Sequence, residues 1–271
     1  MTRVATIARD PADSPNMTSN DAAILERIST LLTERGVEVV QFDGREEIPH
    51  DIDIVCSMSR TASTLHWLKA AEARGVKVLN PPTAVERCSR IEFMKILSDN
   101  NIPQPLYKII DTADELLDEC FPCWIKKAEG WSNHKEDVSF AQTKEEATAA
   151  VEQLASRGIG EFIQMQHCKG DIVKFYGIGN RLFHYSYPVN GKFGHEKING
   201  APQNYIFDAD KLKGIAQRAA EAIGLVIYGG DAIISSKGDI TIIDINDFPS
   251  FTAIREEAAR EIAEIIMNKT E

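Results

Sequence analysis

Three polar side chains near the C-terminal end of the chain have the types and spacing of a metal site. Asp231 lies in one apolar segment, Asp244 and Asn246 lie in the next, and Lys237-Gly238 separates the two segments. If Lys237-Gly238 forms a tight hairpin loop, antiparallel pairing places Asp231 directly opposite Asp244. Side chains two residues apart on a strand share a face, so Asn246 joins them there. The pattern therefore predicts three oxygen ligands on one face of a hairpin.

Two carboxylates and an amide oxygen are the donor set that suits a hard cation such as Mg²⁺, with positions left open for phosphate oxygens. The apolar residues that alternate with them, Ile243 and Ile245, are predicted to point the other way into a core. The alternative is that these Asp and Asn residues only form turns at strand ends. That alternative is weaker for all three together, because clustered like charge without a cation costs free energy.

The same residues resemble a known superfamily. Asp231, Asp244 and Asn246 in a strand-turn-strand setting look like the magnesium site of the ATP-grasp enzymes. More narrowly, the run Asp244-Ile-Asn246-Asp-Phe248-Pro249 resembles the Asp-Ile-Asn-x-Phe-Pro run of the inositol 1,3,4-trisphosphate 5/6-kinases. The resemblance implies an α/β protein with α+β lobes, namely an ATP-grasp fold with an N-terminal parallel α/β lobe. It also implies ATP and Mg²⁺ as cofactors.

Composition limits the classes of protein and partner. The chain has 271 residues, 43% hydrophobic and 26% charged, which is enough for two or three small lobes. No apolar run approaches the ~20 residues of a membrane span, and the first residues do not form a signal peptide, so a cytoplasmic location is expected. The net charge of -11 argues against nucleic acid or an anionic membrane as a partner. A small anionic substrate in a local basic pocket remains compatible with it.

The five cysteines are irregularly spaced, and Cys120-Phe-Pro-Cys123 is the only close pair. A redox or zinc site at this pair is one interpretation, but no second pair accompanies it. The alternative is a structural role as reduced thiols in a reducing compartment.

Strand and helix patterns alternate through the first 80 residues. This alternation predicts a small parallel α/β lobe. No Gly-x-Gly-x-x-Gly follows the first strand, so this lobe is not predicted to bind a dinucleotide. The predicted division is residues 1–80 for this lobe, 81–119 for a helical linker that includes one helix over 84–98, and 120–271 for the central and C-terminal ATP-grasp lobes.

Candidate phosphate-binding residues follow in the order that the resemblance implies. Arg90 matches the basic position on the linker helix that approaches ATP phosphates, although Lys95 is a rival and Arg90 could be only solvated. Lys126 ends an apolar run, where ATP-grasp proteins place a Lys on the α- and β-phosphates. Gly130 and His134 match a Gly-x-x-x-His loop of the inositol phosphate kinases, which implies a catalytic role for His134. The alternative for His134 is an ordinary polar surface residue.

The next strand resembles the nucleotide hinge of the superfamily, where backbone groups read the adenine edge. Gln164, Gln166 and His167 are the nucleotide-binding residues that this resemblance implies. Lys174, on the following strand, stands where ligases of the superfamily carry Arg and the inositol phosphate kinases carry Lys. It is expected to be catalytic, because it would face the γ-phosphate and stabilise the charge that develops during transfer.

The resemblance to the inositol phosphate kinases has two gaps. Their Arg-Pro has only Tyr187-Pro188 near its position here, and their N-terminal His-Lys-Arg cluster has no counterpart. Residues 180–207, which should contact the acceptor, carry no motif that identifies it.

Three functions remain open. The first is a Mg-ATP-dependent kinase that phosphorylates a small polyol or inositol phosphate. The alternative, which the missing basic elements favour, is a RimK-like ligase that joins a carboxylate to an amine through an acyl phosphate. The third is a nucleotide-binding regulator without turnover, against which the complete metal set argues.

Overall fold

The computed structural model describes residues 2–14, 17–128, 134–188 and 194–268. These residues form three four-stranded sheets. The first sheet is wholly parallel, with strand order β2-β1-β3-β4. Its strands and helices are β1 (Arg3–Ile7), α1 (Thr18–Glu34), β2 (Glu38–Phe42), β3 (Ile54–Ser57), α2 (Ala62–Ala73) and β4 (Lys77–Leu79). This confirms the predicted N-terminal parallel α/β lobe.

The linker contains two helices, so the prediction of one continuous helix over 84–98 is wrong. They are α3 (Pro82–Glu86) and α4 (Arg90–Asp99). Ser89 lies between them with φ -58° and ψ 144°, an extended backbone typical of a residue that precedes a helix. The break makes Arg90 the first residue of α4 instead of a mid-helix residue.

The central sheet is antiparallel, with strand order β5-β8-β6-β7. Its first strand lies inside the segment predicted as linker, and the sequence analysis did not predict it. Side chains of the sheet alternate between a core shared with α5 and the face that looks toward the third sheet. The elements are β5 (Tyr107–Ile110), β6 (Cys123–Lys127), β7 (Val138–Ala141), α5 (Lys144–Ser156) and β8 (Phe162–Gln166).

The third sheet is also antiparallel, with strand order β10-β9-β11-β12. One core joins α1 of the N-terminal lobe to α8 and to residues of β9 and β11, so the first and third sheets do not pack independently. Across the described ranges, no helix combines the length and apolarity needed to cross a membrane. The elements are β9 (Asp171–Ile178), β10 (Leu182–Ser186), α6 (Gly194–Asn199), α7 (Ala209–Ile223), β11 (Ile227–Ile234), β12 (Ile240–Asp247) and α8 (Arg255–Asn268).

Asp231 pairs with Asp244 in the hairpin of β11 and β12, as predicted, but the loop and the strand pairing that produce this register differ from the predicted ones. Ser235 N–H donates to the Asp239 carbonyl at 2.9 Å, so the loop has three residues between them, 236–238, and not two. The longer loop alone would shift the pairing of β11 with β12 by one residue. A bulge in β12 adds one residue, Ile243, and shifts the pairing back, so Asp231 still lies opposite Asp244.

The bulge also changes the position of Ile243. It packs with Ile172 and Ile233 in a small separate cluster, whereas Ile245 lies in the large core. The prediction that Ile243 and Ile245 share a face is therefore wrong, because the extra residue interrupts the strand alternation.

The cysteine pair has the structural environment of a core. All five cysteines are free thiols, and Cys120 and Cys123 are buried in the core beneath the central sheet. Burial raises the pKa of both thiols, that of Cys123 to about 11. A raised pKa lowers the thiolate fraction, which supports the structural interpretation over the redox one.

The close approach of β11 to β12 predicts a stability effect at Gly230. A Cβ on Gly230 would overlap the Asp244 carbonyl oxygen and press on the Phe175 ring. Gly230→Ala should therefore lower the free energy of unfolding by about 1–3 kcal/mol, measured by urea titration. Gly214→Ala is the matched control, since nothing lies within 4 Å of its Cβ position on α7. The control should raise stability by up to about 1 kcal/mol, and an unchanged stability of Gly230→Ala would contradict the tight strand approach.

Candidate active site

The predicted metal ligands lie together on one face of the third sheet. Asp231 and Asp244 are direct partners across β11 and β12. Asn246 Nδ2 donates to Asp244 Oδ2 at 2.7 Å, which leaves the amide oxygen of Asn246 as a third potential ligand. All three side chains are half-buried. We call this set the metal face.

Lys174 joins the metal face from β9. It is the register partner of Asp231, and its Nζ lies 2.8 Å from Asp231 Oδ1. Burial lowers the pKa of Lys174, but the charge of Asp231 and the hydrogen bond to it outweigh burial and raise the pKa overall. The Lys174 side chain is therefore a cation at the position predicted for it.

The donor chemistry of the metal face fits Mg²⁺. Two facing carboxylates carry like charge, and a hard divalent cation between them would stabilise that arrangement. Among the described residues, no group of three or more His, Cys, Asp and Glu side chains forms an alternative metal cluster. The candidate site thus depends on the Asn246 amide as its third ligand.

Lys126 and Arg90 approach from the central sheet and the linker. Lys126 is 9% exposed, and its Nζ contacts Met165 Sδ at 3.6 Å. Within the described ranges it forms no ion pair. Burial, and then the charge of Arg90, lowers the pKa of Lys126 to about 7. Burying a cation without an ion-pair partner is costly, which is why burial lowers this pKa so far.

Arg90 is held at this site by its position at the start of α4. It donates to the carbonyl oxygen of Lys127, and it lies close enough to Asp244 and Asp137 for their charges to raise its pKa. Burial has the larger effect and lowers that pKa. The structure therefore brings Arg90 and Lys126 together near the metal face, as predicted.

The loop that was predicted to carry Gly130 and His134 is only partly described. Gly130 lies outside the described residues. The His134 side chain is exposed, and its backbone N–H donates to Asp137 Oδ2 at 3.1 Å.

The structure does not bring the side chain of Gln164 to the site. Gln164 is 0% exposed in the middle of β8, on the face opposite to Lys126. Its amide donates to the Leu117 carbonyl at 2.9 Å and accepts from the Leu117 N–H at 2.8 Å. These bonds satisfy both ends of the amide, so its side chain holds the segment before β6 in place.

Gln166 and His167 lie at the end of β8, where the hinge was predicted. Gln166 Nε2 donates to the Glu119 carbonyl at 3.3 Å. His167 Nδ1 accepts from Trp124 Nε1 at 3.1 Å, and its ring packs edge-on against Phe140. Burial lowers the pKa of His167, which favours the neutral imidazole. The structure thus shows both side chains engaged in contacts within the central sheet and its loops.

Two basic residues of the site were missed by the sequence analysis. Arg9 and Arg60 line a cavity of about 370 Å³ that also includes Lys174, Asp231 and Asn246. They lie in the loops that follow β1 and β3, and the carboxyl ends of parallel strands are where α/β sheets place ligand-binding residues. That signal was present in the sequence. The cavity therefore contains basic residues of the N-terminal lobe, even though no His-Lys-Arg cluster exists.

The buried Lys126 ammonium predicts that stability depends on pH. Its pKa is about 7 in the folded chain and about 10.4 in unfolded chains. The unfolded state therefore binds more protons between these values, and stability rises with pH there. The free energy of unfolding, relative to that of Lys126→Met, should rise by about 1.4 kcal/mol per pH unit above pH 7. Urea titrations at several pH values measure this free-energy difference, and the exposed Lys95→Met is the control. A difference between the protein and Lys126→Met that did not change with pH would contradict the buried cation.

Comparisons with known proteins agree with this geometry. Residues 89–269 match the RimK-like ATP-grasp domain. A probable alpha-L-glutamate ligase of Marinobacter nauticus is 23% identical over 239 residues, which cover 83% of this chain and 78% of that protein. The tetrahydromethanopterin:alpha-L-glutamate ligase of Methanocaldococcus jannaschii is 20% identical over 209 residues, 72% of this chain and 70% of that protein. The RimK domain ATP-grasp protein of Sphaerobacter thermophilus superposes with a TM-score of 0.70 at 18% identity, covering 98% of this chain and 100% of that chain.

These comparisons support the ligase alternative, and they do not show the inositol phosphate kinase family that the sequence analysis put first. The run Asp244-Ile-Asn246-Asp-Phe248-Pro249 does not by itself distinguish the two activities, because a magnesium site of this type would serve Mg-ATP whatever the acceptor is. The domain match spans well over half of the chain. This protein is therefore an ATP-dependent enzyme that belongs to the RimK-like ATP-grasp family.

Proposed function

We propose that this enzyme joins a small carboxylate to an amine through an acyl phosphate. The observation that carries the proposal is the charge of the cavity beside the metal face. Its cations Arg9, Arg60 and Lys174 are matched by the carboxylates Asp21, Asp231 and Asp247. A highly phosphorylated acceptor would need a cavity with excess positive charge. A substrate with one or two charges suits the balanced cavity, and the names of the curated relatives make glutamate the first such substrate to test.

ATP is proposed to bind between the two antiparallel sheets. Lys126 and Arg90 would contact its phosphates, and the end of β8 with Gln166 and His167 would contact adenine. Asp231, Asp244 and Asn246 would hold Mg²⁺, which compensates phosphate charge when bound. His134 stays a prediction, as an exposed residue at the end of the loop that includes Gly130.

The first chemical step transfers the γ-phosphoryl group to the carboxylate. A carboxylate oxygen forms a bond to the γ-phosphorus, the bond from that phosphorus to the bridging oxygen breaks, and ADP leaves. Lys174, a cation beside Asp231, would compensate the charge that develops on the transferred group. The product of this step is an acyl phosphate.

In the second step, the neutral amine attacks the acyl carbon. The C–N bond forms, the bond from carbon to the phosphate oxygen breaks, and the nitrogen loses a proton. The products are an amide, ADP and inorganic phosphate. Excluding water matters at this stage, since an acyl phosphate also reacts with water.

Product analysis tests the ligase directly. With Mg-ATP, a panel of carboxylates and amines that starts with glutamate should release ADP and inorganic phosphate in equal amounts, together with an amide. Sustained release should require both substrates. ADP with a stable phosphorylated polyol, formed without an amine, would instead establish a kinase and end the proposal.

Asp244→Asn tests the metal face. Removing one charged ligand should reduce kcat by about 10²–10³-fold and raise the Mg²⁺ concentration needed for half-maximal activity. Asp239→Asn is the matched control, because Asp239 is an exposed carboxylate in the turn of the same hairpin. If Asp244→Asn kept full turnover at the same Mg²⁺ requirement, Asp244 could not be a metal ligand.

A further inference from the structure

The face of the third sheet that carries the metal face holds two neighbouring cross-strand rows. The first row contains Ser186, Lys174, Asp231 and Asp244, and the second contains His184, Tyr176, Gly229 and Asn246. Tyr176 follows Lys174 by two residues on β9, so both side chains lie on this face. Tyr176 also borders the cavity of about 370 Å³ beside the metal face. A phenol hydroxyl therefore lies next to the residue proposed to act on the transferred phosphoryl group.

The ring of Tyr176 is held in place by its neighbours. It stacks on His184 with ring centroids 6.4 Å apart and an interplanar angle of 22°. It packs against the ring of Phe251 at 5.8 Å and 46°. Its cross-strand partner Gly229 has no side chain, and a Cβ there would lie only 3.2 Å from Tyr176 Cδ1. The ring is thus confined, and rotation of the hydroxyl hydrogen is the freedom that it keeps.

The Tyr176 hydroxyl is free to bind a ligand. In the described part of the chain, no residue forms a hydrogen bond with it, and it is not one of the fully buried polar atoms. Burial raises the pKa of Tyr176, while the charge of Lys174 has a smaller and opposite effect. The phenol is therefore neutral at neutral pH, and its hydrogen can be donated to an acceptor in the cavity.

The second step of the proposed reaction needs a donor at this place. When the amine adds to the acyl carbon, negative charge develops on the acyl oxygen until the bond to the phosphate oxygen breaks. Preorganised hydrogen-bond donors stabilise such charge. A single oxygen joins the acyl carbon to phosphorus, so the donor must lie beside the group that binds the phosphoryl. Alternate residues of a strand are about 6–7 Å apart, which places Tyr176 beside Lys174 at that distance.

We propose that Tyr176 is a catalytic residue of this ligase, whose hydroxyl donates a hydrogen bond to the acyl oxygen while the amine attacks. The inference rests on the proposed function, because it assigns a residue to the second step of that reaction. The C–N bond forms, the bond from carbon to the phosphate oxygen breaks, and the released phosphate takes up the proton that nitrogen loses. The phenol hydrogen stays on Tyr176 throughout. A neutral donor leaves the charges of the cavity matched.

Tyr176→Phe tests this role, because it keeps the ring and removes only the hydroxyl. The substrates are Mg-ATP with a carboxylate and an amine that form an amide in the product analysis. Rapid chemical quench of single turnovers measures ADP formation and amide formation separately. Amide formation should slow about 10–100-fold, as expected for one lost hydrogen bond to a charged group. ADP formation and the KM for ATP should stay constant.

A residue that only packs would give a different result. Loss of packing would lower the free energy of unfolding in urea without slowing amide formation selectively. Tyr228→Phe is the matched control, since the Tyr228 hydroxyl is buried without a partner in the described structure and lies on the opposite face of β11. This control should keep the rates of both steps. If Tyr176→Phe does not fold, Tyr176→Met replaces it and should give the same selective loss.

The two proposals fail in different ways. Amide formation at the unmodified rate in a folded variant without the Tyr176 hydroxyl would leave the ligase standing and remove the role of Tyr176. A slower ADP step in that variant would also overturn the assignment to the second step. If the unmodified protein forms no amide from any pair in the panel, the ligase itself is removed, and the step assigned to Tyr176 is removed with it.

Discussion

The alignment of three strands in one sheet is the constraint on which the site depends. Lys174 on β9, Asp231 on β11 and Asp244 on β12 are register partners in a single row. A slip of one residue in either pairing would turn one of these side chains to the opposite face. The bulge at Ile243 compensates a three-residue turn, and the absence of a side chain at Gly230 lets the strands approach. The arrangement of the metal face therefore depends more on the pairing of these three strands than on any one of its side chains.

Two further cations lie near this row of residues, and neither belongs to the third sheet. Lys126 and Arg90 come from the central sheet and the linker, and both are pushed toward a lower pKa by burial. Burial of these two cations costs free energy, which an anionic ligand bound beside them would offset. A ligand that binds only the folded state would then raise the stability of the protein.

The N-terminal lobe is bonded to the third sheet and also contributes residues to the cavity beside the metal face. Asn80, which is buried, donates to the Ile227 carbonyl and accepts from the N–H groups of Val226 and Ile227, and so connects the end of that lobe to β11. Arg9 reaches across to the end of β12, next to the metal face. The cavity beside the metal face is therefore bordered by residues of both lobes. The motifs that resemble the superfamily lie outside the N-terminal lobe, so they identify the superfamily without specifying what that lobe contributes to the cavity.

The sequence by itself determined the pairing of Asp231 with Asp244 and, through the resemblance of its ordered motifs, the ATP-grasp fold, because strand alternation and the order of motifs are local properties of the chain. Only the tertiary structure decided what the neighbours of each element are. The sequence placed Gln164 on the strand predicted as the hinge, but only the packing of the sheet showed that its side-chain amide bonds to the backbone of Leu117, on the face opposite to Lys126. Arg9 and Asp247, which are 238 positions apart, meet because two lobes pack together. The hydrophobic pattern of a sequence shows on which face of a strand or helix a residue lies. Which residues pack against that face is set by contacts between segments that are distant in the sequence.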